Sequence, residues 1–284
     1  MNEAPPPEPV LLSQDADGVR TLTLNRPWRK NAIDDELLTA LCRAFTAAGG
    51  DRSVRALVLA GAGGAFCSGA DLSGVLAGVH PMYKMRGYSE VTLLLHELPI
   101  PTIAKVNGVA VGAGWNLALG CDLVVATPQS TFSQIFARRG LSLDCGGSWL
   151  LPKLAGLQQA KRLALLAEMI DAEEARALNL VTWVVPASEI DGFVVDLGAR
   201  LTAGPPIALA QNKALLNEGA DRTLRDALAN EARAQSVNFA TADAPEAYAA
   251  FAGKRSPSFT GRWAANGAEV PVPGTAQTRE TPDA

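Results

Sequence analysis

Residues 101–127 read PTIAKVNGVAVGAGWNLALGCDLVVAT. The runs PTIAKVNGVAVG and DLVVAT have the apolar, β-branched content of buried strands, and the turn between them is crowded with glycine and alanine. The same grammar extends outward. Upstream, VRALVLAG (54–61) and VRTLTLNRP (19–27) read as strands. Between them IDDELLTALCRAFTAA places Ile33, Leu37, Leu41, Ala44 and Phe45 on one helical stripe, with Asp34 as its N-cap. Downstream, Asp171 to Glu174 has the spacing of a capping box, and VTWVV (181–185) is a late strand. From about Ile190 the strand signals stop, and segments 190–202, 206–219, 223–240 and 245–254 are helical in pattern. These shifts predict an α/β core over residues 10–200 and a helical region over 201–262. Residues 1–9 and 263–284, rich in Pro, Ala, Gly and Thr, are expected to be disordered tails.

With 284 residues and 48% hydrophobic content, the chain can bury a sizeable core. A net charge of -4 disfavours nucleic acid or an anionic membrane surface as a partner, since both select basic faces. Cys42, Cys67, Cys121 and Cys145 stand at wide spacings without a C-x-x-C, and His80 and His96 lack spaced partners, so no metal site or disulfide framework is expected. The opening MNEAPPPEPV has neither the basic start nor the apolar stretch of a signal peptide, and no apolar run reaches the ~20 residues of a membrane span. The expectation is a cytoplasmic protein.

Two glycine-rich segments follow strands, GAGGAFCSGADL (61–72) and NGVAVGAGWNLALGCDL (107–123). A dinucleotide turn needs a small third residue, where Phe66 and Leu117 stand here. A nucleophile elbow is also missing: Phe66 and Ala70 flank Ser68, and Leu150 lies two residues beyond Ser148. Such turns still expose backbone N–H groups that can meet a negative oxygen, or they serve close packing alone. A third stretch, RGLSLDCGGSWLLP (139–152), sets Asp144 before two glycines, where it reads either as a helix cap or as an acid–base group.

Five stretches carry a family resemblance: LNRPWRKNAI (24–33), AFCSGADL (65–72), VNGVAVGAGWNLALGCDL (106–123), GLSLDCGGSWLLPKLAG (140–156) and KRSPSFTGR (254–262). Together, and in this order over residues 18–262, they closely resemble the crotonase, or enoyl-CoA hydratase/isomerase, superfamily. The resemblance implies a right-handed spiral of ββα units with a C-terminal α-helical region that makes homotrimers, often paired into hexamers. It implies an acyl-CoA thioester as substrate and no cofactor beyond the coenzyme A carried by that substrate. The backbone N–H groups of Ala70 and Ala113 would cradle the thioester oxygen, Ala113 standing where the family usually has glycine. Coenzyme A would lie along Ser68, Ala70, Asp71 and Leu72, with Arg29, Lys30 and Lys254 as phosphate neighbours. Trp115, Asn116 and Phe136 would line the substrate pocket, and residues 73–96 would form the loop and helix that shape it.

The two glutamates that family hydratases use to place and activate water would fall at Asn116 and Phe136, neither of which is an acid. Asp144 occupies the position resembling the catalytic aspartate of family isomerases, and DCGGSWLLP is close to those that rearrange a ring epoxide. Apolar Leu143, Trp115 and Phe136 are expected to raise its pKa. The resemblance therefore implies an acyl-CoA isomerase working by proton transfer. The alternatives are an enoyl-CoA hydratase and a CoA-ester binding protein with little turnover.

Overall fold

The computed structural model describes residues 8–74, 80–219 and 221–264. The chain divides into two compact units after Thr202. The first contains strands β1 (Leu11–Ala16), β2 (Val19–Leu24), β3 (Ala56–Gly61), β4 (Thr102–Val106), β5 (Val109–Val111), β6 (Leu123–Ala126), β7 (Thr131–Ser133), β8 (Ile170–Asp171) and β9 (Trp183–Val184). Its helices are α1 (Asp35–Gly50), α2 (Pro81–His96), α3 (Ala113–Gly120), α4 (Gly147–Ala155), α5 (Leu157–Leu166), α6 (Ala172–Ala177) and α7 (Ile190–Thr202). The second unit contains α8 (Pro206–Gly219), α9 (Leu224–Phe239) and α10 (Asp243–Ala252).

A six-stranded sheet runs β1-β2-β3-β4-β6-β9, parallel throughout except for the β1–β2 hairpin. A parallel sheet needs cover on both faces, and alternate residues supply it. From β3, Leu57 and Leu59 enter the large core with Leu22, Leu24 and α1. Val58 turns the other way, meeting Ile103, Val125 and the α7 residues Ile190, Val194 and Leu197. Helix α1 begins where expected: the Asp34 carboxylate accepts from Leu37 N at 2.9 Å, and Leu37, Leu41, Phe45 and Ala48 face the core. Such a cap contributes about 1 kcal/mol, and each buried Leu or Phe roughly 1.5–3 kcal/mol.

The segment PTIAKVNGVAVG, expected as one strand, is two. Gly108 takes a φ of +83°, and a Cβ there would lie 2.1 Å from Gly64 O, so the chain turns in a space only glycine fits. Strand β4 stays in the large sheet, while β5 joins β7 and β8 in a three-stranded sheet. One strand in each sheet followed by a helix, β4–β5–α3, matches the ββα unit that the sequence resemblance implies. The late strand is short, Trp183–Val184 only, and the capping box is half formed. Asp171 accepts from Glu174 N at 2.8 Å, but the Glu174 carboxylate pairs with Arg162.

The expected tails meet the described structure only at their inner edges; residues 1–7 and 265–284, like 75–79 of the pocket-shaping loop, lie outside the described residues. Those edges are tied down, not loose. Pro9 O accepts from Asn25 Nδ2 at 3.0 Å, Trp263 pairs with Thr241, and Ala264 N donates to Ala240 O at 3.0 Å.

Candidate active site

The two glycine-rich turns meet through one parallel bridge. Cys67 N donates to Val109 O at 3.1 Å, and Val111 N donates to Cys67 O at 3.0 Å, setting Cys67 beside Ala110. Three residues beyond each partner stand Ala70 and Ala113. Glycine makes the approach possible. A Cβ on Gly69 (φ +90°) would lie 3.0 Å from Val111 O and 3.7 Å from Ala113 N, and one on Gly114 would lie 2.6 Å from Cys67 Cβ.

Ala113 is the first residue of α3, so its N–H has no partner within the helix and carries the positive end of the helix dipole. At Ala70 the flanking groups take the bonds to Ile33: Ile33 N donates to Gly69 O and Asp71 N to Ile33 O, both at 2.8 Å. The Ala70 N–H is left pointing the other way. Two main-chain N–H groups outside the ladder and helix bonding thus stand on neighbouring turns, an arrangement suited to an oxyanion.

Asp144 does not cap α4. The N-cap is Gly146, in the left-handed region at φ +76°, and no side chain bonds to that helix end. It is the Asp144 main-chain carbonyl that accepts from Gly147 N at 2.9 Å. The carboxylate is left inside with Oδ1 buried and unpartnered. Burial pushes its pKa up to about 6, against a weaker downward pull from the Cys145 thiol. Tyr88 and Cys145 are buried in the same neighbourhood, and the Tyr88 hydroxyl donates to Ile33 O at 3.2 Å. Burial, then the Asp144 charge, drives the Cys145 thiol far above its usual range, so Cys145 stays a neutral neighbour.

Other expected site residues divide. Ser68 N donates to Lys30 O at 2.9 Å and Ser68 Oγ to Arg29 O at 3.1 Å, which brings exposed Arg29 and Lys30 against the first turn. Leu72 is exposed nearby in sequence. Phe136 packs by Gly112, its Cζ 3.7 Å from where a Cβ would stand. Lys254 is exposed beyond α10 in the second unit.

Three expectations need correction. Asp71 has no free carboxylate for coenzyme A: Oδ1 accepts from Ser73 N and Oγ, and Oδ2 pairs with Arg26 at 3.0 Å. The Ser73 hydrogen bonds, then Arg26, hold its pKa down at about 2. Trp115 is fully buried against Phe132, with ring centroids 5.3 Å apart, and so belongs to the core. Asn116 is fully buried too, and both its amide atoms are used inside the protein: Nδ2 donates to Asp144 O and Oδ1 accepts from Gln134 Nε2, each at 2.8 Å.

Sequence reasoning missed Arg26, Tyr88 and Gln134. Gln134 did leave a trace, a lone amide between Phe132 and Phe136 in a run that must be buried. Among the described residues no group of three or more His, Cys, Asp or Glu could hold a metal ion, and no single helix is long and apolar enough to cross a membrane.

Known proteins resemble this chain in sequence and fold. The family model described as enoyl-CoA hydratase/isomerase matches residues 14–262. The chain is 38% identical over 260 residues to 1,2-epoxyphenylacetyl-CoA isomerase of Escherichia coli K12, covering 89% of this chain and 98% of the relative. It is 39% identical over 249 residues to a Rhodobacter capsulatus protein named probable enoyl-CoA hydratase, covering 87% and 96%. The crystal structure of an enoyl-CoA hydratase from Mycobacterium smegmatis superposes with a TM-score of 0.84 at 35% identity, over 89% of this chain and 99% of that one.

Proposed function

This chain belongs to the enoyl-CoA hydratase/isomerase family, and from that premise we propose that it is an acyl-CoA isomerase that relocates a double bond by proton transfer. The thioester oxygen sits between the N–H groups of Ala70 and Ala113. The Asp144 carboxylate removes a proton from the carbon next to the thioester or conjugated with it, and the electron pair moves toward the carbonyl to give a dienolate. The same group, now a carboxylic acid, returns the proton to a different carbon and is regenerated. No cofactor enters this cycle. Losing one oxyanion donor typically costs roughly 10²–10³ in rate, so the two amides supply much of the acceleration.

The observation that carries the reading is the buried Oδ1 of Asp144 with no hydrogen-bond partner, beside Asn116 and Phe136 where a hydratase would need acids. Water addition requires a group that activates water and one that protonates carbon, and an amide and a phenyl ring do neither at neutral pH. The name of the Escherichia coli relative favours ring-epoxide rearrangement as a substrate variant of the same chemistry. The name of the Rhodobacter capsulatus relative keeps hydration as the competing reading. A CoA-ester binder with little turnover is the third.

Incubation with 3-enoyl-CoA and 2-enoyl-CoA separates them. The isomerase converts the former to the latter and loses about 10³-fold in kcat on Asp144→Asn. Hydration of 2-enoyl-CoA that survives Asp144→Asn overturns the assignment, and an inert binder converts neither compound.

Assembly and setting belong to the same proposal. Leu216, Leu224 and Phe251 of the helical unit are 79%, 76% and 88% exposed, an apolar surface suited to self-association as a homotrimer or hexamer. The four cysteines form no disulfide, which suits a reducing cytoplasm.

A further inference from the structure

The buried amides of Asn116 and Gln134 play no part in the proton transfer just described. The polarity of each is fixed by what it faces. Asp144 O can only accept, so Asn116 must present Nδ2 to it; Asn116 Oδ1 then faces Gln134, which must present Nε2. The Asp144 carbonyl accepts from both Asn116 Nδ2 (2.8 Å) and Gly147 N (2.9 Å), which uses its two lone pairs. At the same residue, the carboxylate Oδ1 has no partner. The main-chain carbonyl of Asp144 is therefore held while its carboxylate Oδ1 is left without a partner.

The lock is built on the helix that carries an oxyanion donor. Asn116 N donates to Gly112 O at 3.0 Å, closing the first turn of α3, and Ala113 begins that turn. Gly147 completes the fit: a Cβ there would lie 2.5 Å from Asn116 Nδ2, so only glycine lets the 144–147 loop dock flush on the amide.

We infer that Asn116, held by Gln134, is a positioning residue that sets the Asp144 carboxylate at a fixed distance from the oxyanion cradle. The inference rests on the isomerase reading. In a site where the base must reach two carbons in turn, a misplacement of ~1 Å costs on the order of 10²-fold, so this single amide governs turnover without touching the substrate. Replacing it by an ionised acid would break this bond, because a carboxylate has no hydrogen to donate to Asp144 O.

The test uses the whole protein, 3-enoyl-CoA for turnover and butanoyl-CoA, which cannot isomerise, for binding. Asn116→Ala is expected to lower kcat by 10- to 100-fold while the butanoyl-CoA Kd changes less than twofold. The acid limb of the kcat/KM–pH profile should move to lower pH as the freed loop lets water reach Asp144. Gln134→Met, an apolar replacement of similar length that leaves the Asn116–Asp144 bond in place, should lose three- to tenfold in kcat, and it serves where Asn116→Ala does not fold. A kcat within twofold of the parent with an unmoved limb overturns the inference, and so does a Kd weakened as much as kcat falls. A parent protein that does not isomerise 3-enoyl-CoA overturns the isomerase reading, and isomerisation that survives Asp144→Asn overturns Asp144 as the base and this inference with it; loss on Asp144→Asn but not on Asn116→Ala or Gln134→Met overturns the inference alone.

Discussion

Asp71 and Asp144 lie in the same unit, yet their carboxyl groups are treated in opposite ways. Asp71 accepts from Ser73 N and Oγ and from Arg26, whose guanidinium also pairs with Asp34 at 2.9 Å and donates to Ala32 O. Its pKa is held at about 2, so it is ionised at any working pH. Asp144 has its main-chain carbonyl held by Asn116 and Gly147, while its carboxylate Oδ1 has no hydrogen-bond partner. Its pKa is raised to about 6. An aspartate whose oxygens are spent on the protein builds structure; one whose oxygen is kept free and desolvated is set up to exchange a proton.

The contrast is broken most severely through rate. Asp144→Asn should lower kcat by about 10³-fold, whereas Asp71→Asn should change it only a few-fold and act on stability instead, read by parallel kinetics and urea titrations. Next in size is the removal of Arg26, which leaves Asp71 and Asp34 without their shared cation. Because Arg26 and Asp71 are buried, Arg26→Met should lower unfolding stability by about 3–5 kcal/mol in urea titrations. A loss below about 1 kcal/mol would show the cluster to be ornamental.

Smaller still, and opposite in sign, is the stability of Asp144→Asn. A folded pKa of about 6, above the unfolded carboxylate value, means the native state holds the proton more tightly. Stability therefore falls as pH rises from about 4 through 6, and the full penalty is present above that window. Asp144→Asn should be more stable than the parent by about 2–3 kcal/mol at pH 8, by about half of that at pH 5, and gain little below pH 4. Asp71 has the reverse linkage: its contribution is present above about pH 4 and is lost as pH falls through about 2.

Much of the fold was legible because local chemistry and tertiary role agree. The stripe of α1, its Asp34 cap, the apolar run ALVLAG and the four C-terminal helices each announce themselves within one window. The break at Gly108 was not legible, since three-residue β5 shows no period and the turn is dictated by Gly64, 44 positions upstream. Strand β1, LLSQDA, gives no alternation because five of its six residues are exposed. At the site, the oxyanion turns and Asp144 were found by resemblance. The sense of Asp144 depended on the left-handed Gly146, which presents the carbonyl to the α4 N-terminus in place of the carboxylate. The roles of Asp71 and Asn116 were misread because their partners, Arg26 and Gln134, lie 45 and 18 residues away and no pattern along the chain links them.

The pH dependence of kcat/KM for a 3-enoyl-CoA tests the central claim most directly, because it reports the protonation of the free enzyme's base. The account predicts a unit-slope fall as pH drops through about 6, abolished in the residual activity of Asp144→Asn. A profile that stays flat to pH 4, or a limb near 6 that persists in Asp144→Asn, would contradict it.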